Sequence, residues 1–445
     1  MKMKDRHITI LGAGPAGLAA AYYARKQGLP FTIYEASNRI GGNAITVRHG
    51  DFLFDSGAHR FHDKDWEITR ELRNLMGQDL KRIDVPSKIY YNHKFIDFPL
   101  SPLDLFKKLG LRTFMRACRE LVIARMKSRR EVENFEQFAL RTYGKTIAEN
   151  FLLNYSEKLW GEPCAKLSPH ISGKRMTGLN AKTFLKEALW GNRVKTEHLD
   201  GSFYYPEKGF GTIVEKLAGF CIEENVRRNA KVTNIYHDQK RVVAIEINGD
   251  ERREVLDVVS TLPLPHLVKL MVPSLPQEIL FLANDLRFRN LIVVTVFLNK
   301  DSITGDGSIY FPDPTFPFTR VYEPKNRSTY MSPAGKTSLC AEIPCFATDE
   351  LWTMEDDDLI ECVSSSFVKL GWVRRDDILD SRVIKIRFAY PLLEVASERK
   401  SRTIIKHFET FSNIKISGRN GRFLYAHFHE MMRFGRDIIE EYVSS

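Results

Sequence analysis

The pattern of apolar and polar positions divides the chain into elements before any residue is read for chemistry. Ile8, Ile10 and Leu11 form a short apolar run that reads as a buried strand. From Ala16 to Gln27 the residues Leu18, Ala19, Ala21, Tyr22 and Ala24 recur at helical spacing, and Phe31–Tyr34 is a second strand-like run closed by Glu35. Asp51–Asp55 alternates like a strand and residues 65–77 follow a helical period. Lys88–Tyr91 and Lys94–Phe98 predict two short strands around a turn at Asn92-His93. Residues 102–190 read as mostly helical, with helices predicted over Val132–Tyr143, Ile147–Leu159 and Lys182–Leu189. An amphipathic helix is predicted over 211–226, then a meander of Val232–Tyr236, Arg241–Ile247 and Val255–Thr261. Strands are expected at 290–298, 318–322 and Val383–Phe388, and a helix at 355–370. The end reads as strand (Ile414–Gly418), loop, then helix (Phe434–Tyr442).

The chemistry begins inside the first unit. Gly12, Gly14 and Gly17 fit G-x-G-x-x-G between a strand and a helix, and an acid, Glu35, ends the next strand. Gly12 permits a tight turn. Gly14, followed by Pro15 and Ala16, lets a pyrophosphate approach the backbone, and Gly17 lets the helix sit close on the strand. The helix N-terminus offers unpaired N–H groups and a positive dipole end to phosphates, and Glu35 can accept from the ribose hydroxyls. Strand, glycines, helix, strand and acid in this order predict an adenine dinucleotide site.

Length adds that 445 residues exceed one ordinary core, so two or three domains are expected. The apolar share of 43% is that of a globular protein, and no apolar run approaches the roughly 18–20 residues of a membrane span. The N-terminus enters the first strand without an apolar signal core, and the six cysteines are scattered without CxxC, so reduced thiols and a cytoplasmic location are expected. The net charge of +10 suits an anionic small-molecule substrate or surface, and the absence of a nucleic-acid module argues against nucleic acid. The densest basic stretch lies within 103–130, where Lys107, Lys108, Arg112, Arg116, Arg119, Arg125, Lys127, Arg129 and Arg130 alternate with Leu105, Leu109, Phe114, Leu121, Val122 and Met126. It reads either as the wall of a helical domain or as a peripheral contact with an anionic membrane. Nothing in the sequence sets the oligomeric state.

Residues 35–44, Glu-Ala-Ser-Asn-Arg-Ile-Gly-Gly-Asn-Ala, resemble the extended fingerprint of FAD enzymes in the amine oxidase and protoporphyrinogen oxidase superfamily. NAD-only dehydrogenases do not usually carry this second element, so FAD is the expected cofactor. The chain is also similar to UDP-galactopyranose mutase. The shared landmarks run nearly end to end: Gly57-Ala58-His59-Arg60-Phe61-His62, Phe98-Pro99-Leu100, Tyr155-Ser156-Glu157-Lys158-Leu159-Trp160-Gly161, Ser172-Gly173-Lys174-Arg175, Thr319-Arg320, Tyr390-Pro391 and Gly418-Arg419-Asn420-Gly421. The resemblance implies an α/β fold, with a discontinuous Rossmann-like FAD-binding domain (1–90, 205–265 and 410–445) and a substrate domain of two excursions: a helical insert (91–204) and a β-rich part (266–409).

The resemblance also implies roles. Gly12, Gly14, Pro15, Ala16, Gly17, Glu35, Ala36, Arg39, Gly41, Gly42, Asn43, Val232, Gly418, Arg419 and Phe428 would hold FAD. His59 and His62 would lie near the flavin ring. Tyr155 and Trp160 would line the substrate pocket, Arg175 and Arg320 would meet a diphosphate, and Tyr390, Tyr425 and His427 would complete the wall. His427 stands where the mutase has an acid, and Phe61–Leu109 and the meander look closer to the oxidoreductase branch. Ordinary alternatives remain for each of these residues: Trp160 could be core, Arg175 and Arg320 could be surface ion pairs, and His59 could be a structural histidine. His59-x-x-His62 and His427-x-His429 lack a cysteine or third ligand, so no metal is expected. Three functions follow. The first is hydride transfer from an anionic or amphipathic organic substrate, sugar- or envelope-related, to flavin N5. The second is a mutase in which reduced flavin N5 attacks the anomeric carbon and displaces UDP. The third is flavin binding without catalysis.

Overall fold

The computed structural model describes residues 6–126, 131–171, 202–221 and 225–444. The expected helix at 182–189 and Arg175 lie outside the described residues. Five short strands form a parallel sheet in the order Ile414–Ile416, Asp257–Ser260, Ile8–Leu11, Phe31–Tyr34, Val226–Arg227. Ile8–Leu11 is buried at every position, as a central parallel strand covered on both faces must be. The helix Pro15–Lys26 follows it. Proline at the first helical position has its φ already set, and the alanine-rich run costs little side-chain entropy on ordering. Its residues from Ala16 to Ala24 are all buried, because the C-terminal helix Phe428–Ser444 and the helix Gly211–Cys221 pack against it. The first of these crossings is close: a Cβ at Gly435 would stand 2.7 Å from the backbone nitrogen of Ala20.

The meander differs from expectation. Val232–His237 and Val242–Ile247 pair antiparallel, but the third strand is Glu251–Glu254. The apolar run predicted for that place leaves the meander, and Asp257–Ser260 pairs with Ile8–Leu11. Its Val258 and Val259 are fully buried, which a parallel core strand requires and an edge of a meander does not. The helix predicted over 211–226 likewise is Gly211–Cys221, and Val226–Arg227 is sheet.

The second large sheet has seven strands in the order Ile378–Pro391, Phe288–Leu298, Thr337–Cys345, Arg320–Tyr322, Ser308–Tyr310, Ser87–Tyr91, Lys94–Phe98. Its period-2 alternation decides what faces the interior. Along Thr337–Cys345 the residues Leu339, Ala341, Ile343 and Cys345 enter one core, under the helix Asp356–Lys369. Cys340 joins a different core with Phe54, Leu291 and Tyr322, and Glu342 shares that opposite face. Helices Pro102–Leu109, Leu111–Met126, Phe135–Ile147 and Asn154–Trp160 form a third body. A wide turn over Ala148–Leu153 interrupts the predicted helix 147–159. All six cysteines are free. Among the described residues no helix is long and apolar enough to cross a membrane.

Candidate active site

A cavity of about 400 Å³ begins at the turn Gly12–Ala16 and runs between the parallel sheet and the seven-stranded one. The three motif glycines have different jobs. Gly12 has φ +102°, and a Cβ there would lie 2.5 Å from Thr261 Oγ1. A Cβ on Gly17 would lie 1.9 Å from the Gly12 carbonyl oxygen. Both are therefore required by the protein's own packing. Gly14 is not: its nearest neighbour to a built Cβ is Gly42 Cα at 3.9 Å, and its φ of −74° suits any residue. What its bareness leaves open is the cavity above the helix N-terminus, where no side chain caps the free N–H groups. The Ala13 N–H donates to Glu35 Oε2 at 2.8 Å, and Ser37 donates to Oε1 through its N–H and hydroxyl at 2.9 and 2.8 Å, fixing the acid beside the turn. At the far wall the Asn420 amide donates to the Phe388 carbonyl at 2.8 Å, while its buried Oδ1 has no partner among the described residues. An anion-receptive helix end, an acid beside it and an open acceptor fit an adenine dinucleotide.

The cavity then passes His59. Its Nε2 lies 2.9 Å from the Asn43 carbonyl, so Nε2 carries the proton and donates. Burial, then the nearby Arg419, push the imidazole pKa down to about 3, although the Asn43 bond works the other way. His59 is thus a fixed neutral group, not a proton carrier at neutral pH. His62 is buried with its ring edge-on to His427 at 5.5 Å.

Beyond His59 the walls become aromatic. Trp160 is edge-on to Tyr390 and Tyr425 at 6.1 and 6.3 Å, and the two tyrosines stack at 6.5 Å. Arg419 lies over the Tyr390 ring at 5.3 Å. Burial, then Glu342, push the Tyr390 phenol up to about 12. Tyr155 is edge-on to Tyr310 at 5.6 Å. The charged pole of this chamber is Arg320. It stands directly opposite Glu342 in the sheet register, and its Nε donates to Glu342 Oε2 at 2.7 Å. Burial opposes the guanidinium charge, but Glu342 and the phenols of Tyr390, Tyr310 and Tyr155 more than offset this and raise its pKa well above the ordinary value. The other carboxylate oxygen of Glu342 accepts the Ala58 N–H at 2.6 Å, beside Gly57.

Of the residues expected to meet the cofactor, Gly12, Gly14, Pro15, Ala16, Glu35, Gly42, Asn43, Gly418, Arg419 and Phe428 line the cavity. Those expected to meet substrate that do so are Tyr155, Trp160, Arg320, Tyr390, Tyr425 and His427, with His59 and His62 between the two groups. Gly17, Ala36, Arg39, Gly41 and Val232 lie off the lining. Gly17 is against Gly12, Arg39 turns back to donate to the Gly42 carbonyl at 2.7 Å, and Val232 is in a core.

The sequence pattern of the flavin containing amine oxidoreductases matches residues 15–381. The chain belongs to that family. Membership implies a flavin-dependent oxidoreductase with FAD as the flavin. The chain is 21% identical to coproporphyrinogen III oxidase of Bacillus subtilis (strain 168) over 398 residues, 82% of this chain and 83% of that one. It is 24% identical to mitochondrial protoporphyrinogen oxidase of Nicotiana tabacum over 262 residues, 52% of each chain. A solved structure of reduced UDP-galactopyranose mutase superposes with a TM-score of 0.87 at 20% identity, over 99% of this chain and 94% of that one. The last likeness speaks for the fold.

Within this family fold several wall residues were not evident from the sequence. Glu342 and Tyr310 belong to no motif of the chain, although Glu342 carries one signal: it is a lone acid in the apolar run Ser338–Cys345, and a charge there must be paired. Phe388 was expected only as the end of a strand. It is held at φ +54°, where a bulky residue is strained, with its N–H donating to Asn290 Oδ1 at 3.1 Å. The Glu157-Lys158 pair is structural. Lys158 donates to the carbonyls of Phe311, Asp313 and Phe318 at 2.9, 2.7 and 2.7 Å, which ties the helix carrying Tyr155 and Trp160 to the seven-stranded sheet. Gly161 then ends that helix at φ +72°.

Proposed function

We propose that the protein takes a hydride from an anionic, organic substrate seated in the aromatic chamber, with FAD across the Gly12–Ala16 turn. One observation carries this reading: the dinucleotide turn and the Arg320–Tyr390–Trp160 chamber line a single cavity. When bound, FAD supplies the two-electron acceptor, so the chain needs no nucleophile of its own. The helix N-terminus at Gly14 would hold the pyrophosphate, and Glu35 beside it the adenosine ribose hydroxyls. Arg320, kept charged, attracts and orients an anionic substrate group, and Trp160, Tyr390 and Tyr425 provide flat faces that exclude water from it. His59, neutral and tied to Asn43, keeps a fixed donor–acceptor orientation beside the cavity. His62 and His427 line the same passage.

A second reading, a sugar-nucleotide mutase that uses reduced FAD, is favoured by one feature: Tyr155, Tyr310, Tyr390 and Tyr425 bring four phenols to the chamber, hydrogen-bonding groups suited to a polyhydroxylated sugar. Anaerobic titration of the yellow holoprotein with porphyrinogens and UDP-sugars, before and after dithionite, separates the two. Bleaching of the oxidised flavin band by an added organic substrate supports hydride transfer. UDP release that occurs only after reduction supports the mutase. With any bound anionic ligand, Arg320→Lys is expected to weaken binding by about 2 kcal/mol, because Nε and Nη2 of Arg320 face Glu342 and a lysine that keeps this ion pair lacks the further guanidinium donor that would reach the ligand. An unchanged dissociation constant removes Arg320 from the site.

A further inference from the structure

A second, open cavity of about 860 Å³ adjoins the chamber, and Tyr425 and His427 line both. One side of it is the helix Val395–Phe408. Positions three and four apart share a helix face, so Arg402, Ile405 and Lys406 turn to the cavity together with Glu409, the residue that closes the helix. The opposite face puts Ile404 and Phe408 into the core. Two further cations come from other elements. Lys64 stands just before the helix Trp66–Met76, and Arg422 belongs to the loop after the strand Ile414–Ile416. Phe138 and Phe434 add flat apolar surface, and Arg422 lies over the Phe434 ring at 4.4 Å.

The charge around this cavity is unbalanced. Among the described residues no carboxylate pairs with Lys64, Arg402, Lys406 or Arg422. Elsewhere on the same helices cations are answered. Lys400 pairs with Asp285, and Arg433 pairs with Asp65 and Glu67, each at 2.7 Å. Two of the lining acids are already engaged. Glu398 accepts from the Ser168 hydroxyl at 2.6 Å with His170 Nδ1 3.1 Å away, and Glu430 accepts the His427 N–H at 2.8 Å. Among the described residues that leaves Glu409 facing four cations. Like charges gathered round one cavity repel, and an anionic ligand relieves that repulsion. Phe138, Ile405 and Phe434 line the same space, so a ligand with an apolar body gains burial that a bare anion cannot.

We propose that this second cavity binds an organic polyanion with a flat apolar body, its acid groups on Arg402, Lys406, Arg422 and Lys64 and its ring against Phe138 and Phe434. Arg402 and Lys406, one helical turn apart, are neighbours that can share one acid group. The site is distinct from the chamber, because Arg320 and Trp160 line the first cavity and not the second. The inference therefore stands whatever the substrate of the chamber is.

The test is calorimetric titration of the full-length, FAD-loaded protein with 1-naphthyl phosphate, naphthalene-1,4-dicarboxylate and tripolyphosphate. At least one naphthyl probe is expected to bind once per chain, more tightly than tripolyphosphate and less tightly as salt rises. The tighter of the two tells phosphate from carboxylate recognition. R402Q/K406Q is expected to weaken that probe about tenfold, or about threefold for each exposed cation removed, while Arg320→Lys leaves it unchanged. Arg402 and Lys406 are exposed, and thermal melts and flavin absorbance matching the wild type check that the double variant folds and holds its cofactor. The proposal is overturned if neither naphthyl probe binds, if tripolyphosphate binds more tightly than both, or if R402Q/K406Q binds the probe as the wild type does. It is also overturned if Arg320→Lys weakens the probe as much as R402Q/K406Q does, since the probe would then sit in the chamber.

Discussion

Glu342 holds Arg320 and the loop before His59 at once: Oε2 accepts from Arg320 Nε at 2.7 Å and Oε1 accepts from the Ala58 N–H at 2.6 Å. The pair sits directly across two strands, with Glu342 buried and the Arg320 side chain only 11% exposed, so each charge depends on the other. Glu342→Leu is expected to cost about 3–5 kcal/mol in urea unfolding, because Arg320 is left buried and unpaired. The double variant R320M/E342L is expected to recover most of that loss. If the double is no better than the single, the cost lies in the Ala58 contact instead.

Gly14 and Gly17 separate ligand from packing. Gly14→Ala is expected to leave the apoprotein within about 1 kcal/mol of the wild type, since no atom lies closer than 3.9 Å to the new Cβ. It should nevertheless weaken FAD by tenfold or more, read as flavin absorbance per chain during titration of apoprotein. Gly17→Ala is expected to destabilise the fold itself, with its Cβ 1.9 Å from the Gly12 oxygen. Normal flavin affinity in the Gly14 variant would move the pyrophosphate away from this turn.

His59 sets an acid limit on stability. Its pKa is pushed down to about 3 in the fold, below the ordinary 6.5, so the unfolded chain binds the extra proton first. Its neutral form is fully compatible with the fold above pH 6.5, and stability falls as pH drops from there towards 3. At pH 4.5 the loss is roughly 2–3 kcal/mol relative to pH 7. His59→Gln should abolish that part of the pH dependence in urea midpoints measured at the two values. Parallel pH dependence in both proteins would show that His59 is not the group responsible.

Tyr390 tests the chamber. Tyr390→Phe keeps the ring against Trp160, Tyr425 and Arg419 and removes only the hydroxyl. The melting temperature is expected to hold within a few degrees, while an anionic ligand that the phenol donates to should bind about tenfold more weakly. Calorimetric titration of the ligand identified by the anaerobic screen checks it.

The sequence by itself determined the elements whose signal is local. The strand Ile8–Leu11, the helix from Pro15, the strand Phe31–Tyr34 and the acid at its end follow from apolar period and from glycines at fixed offsets. Tyr155 and Trp160 were legible because they sit in one short motif on one helix. Only the tertiary structure decided that Asp257–Ser260 leaves the meander for the parallel sheet, since an apolar run carries no mark of the partner it will pair with. Only the tertiary structure decided, too, that Arg320 is answered by Glu342 twenty-two residues away. Strand register fixed that pairing. Register is set by which faces are buried across the whole sheet, so no stretch of chain could announce it alone.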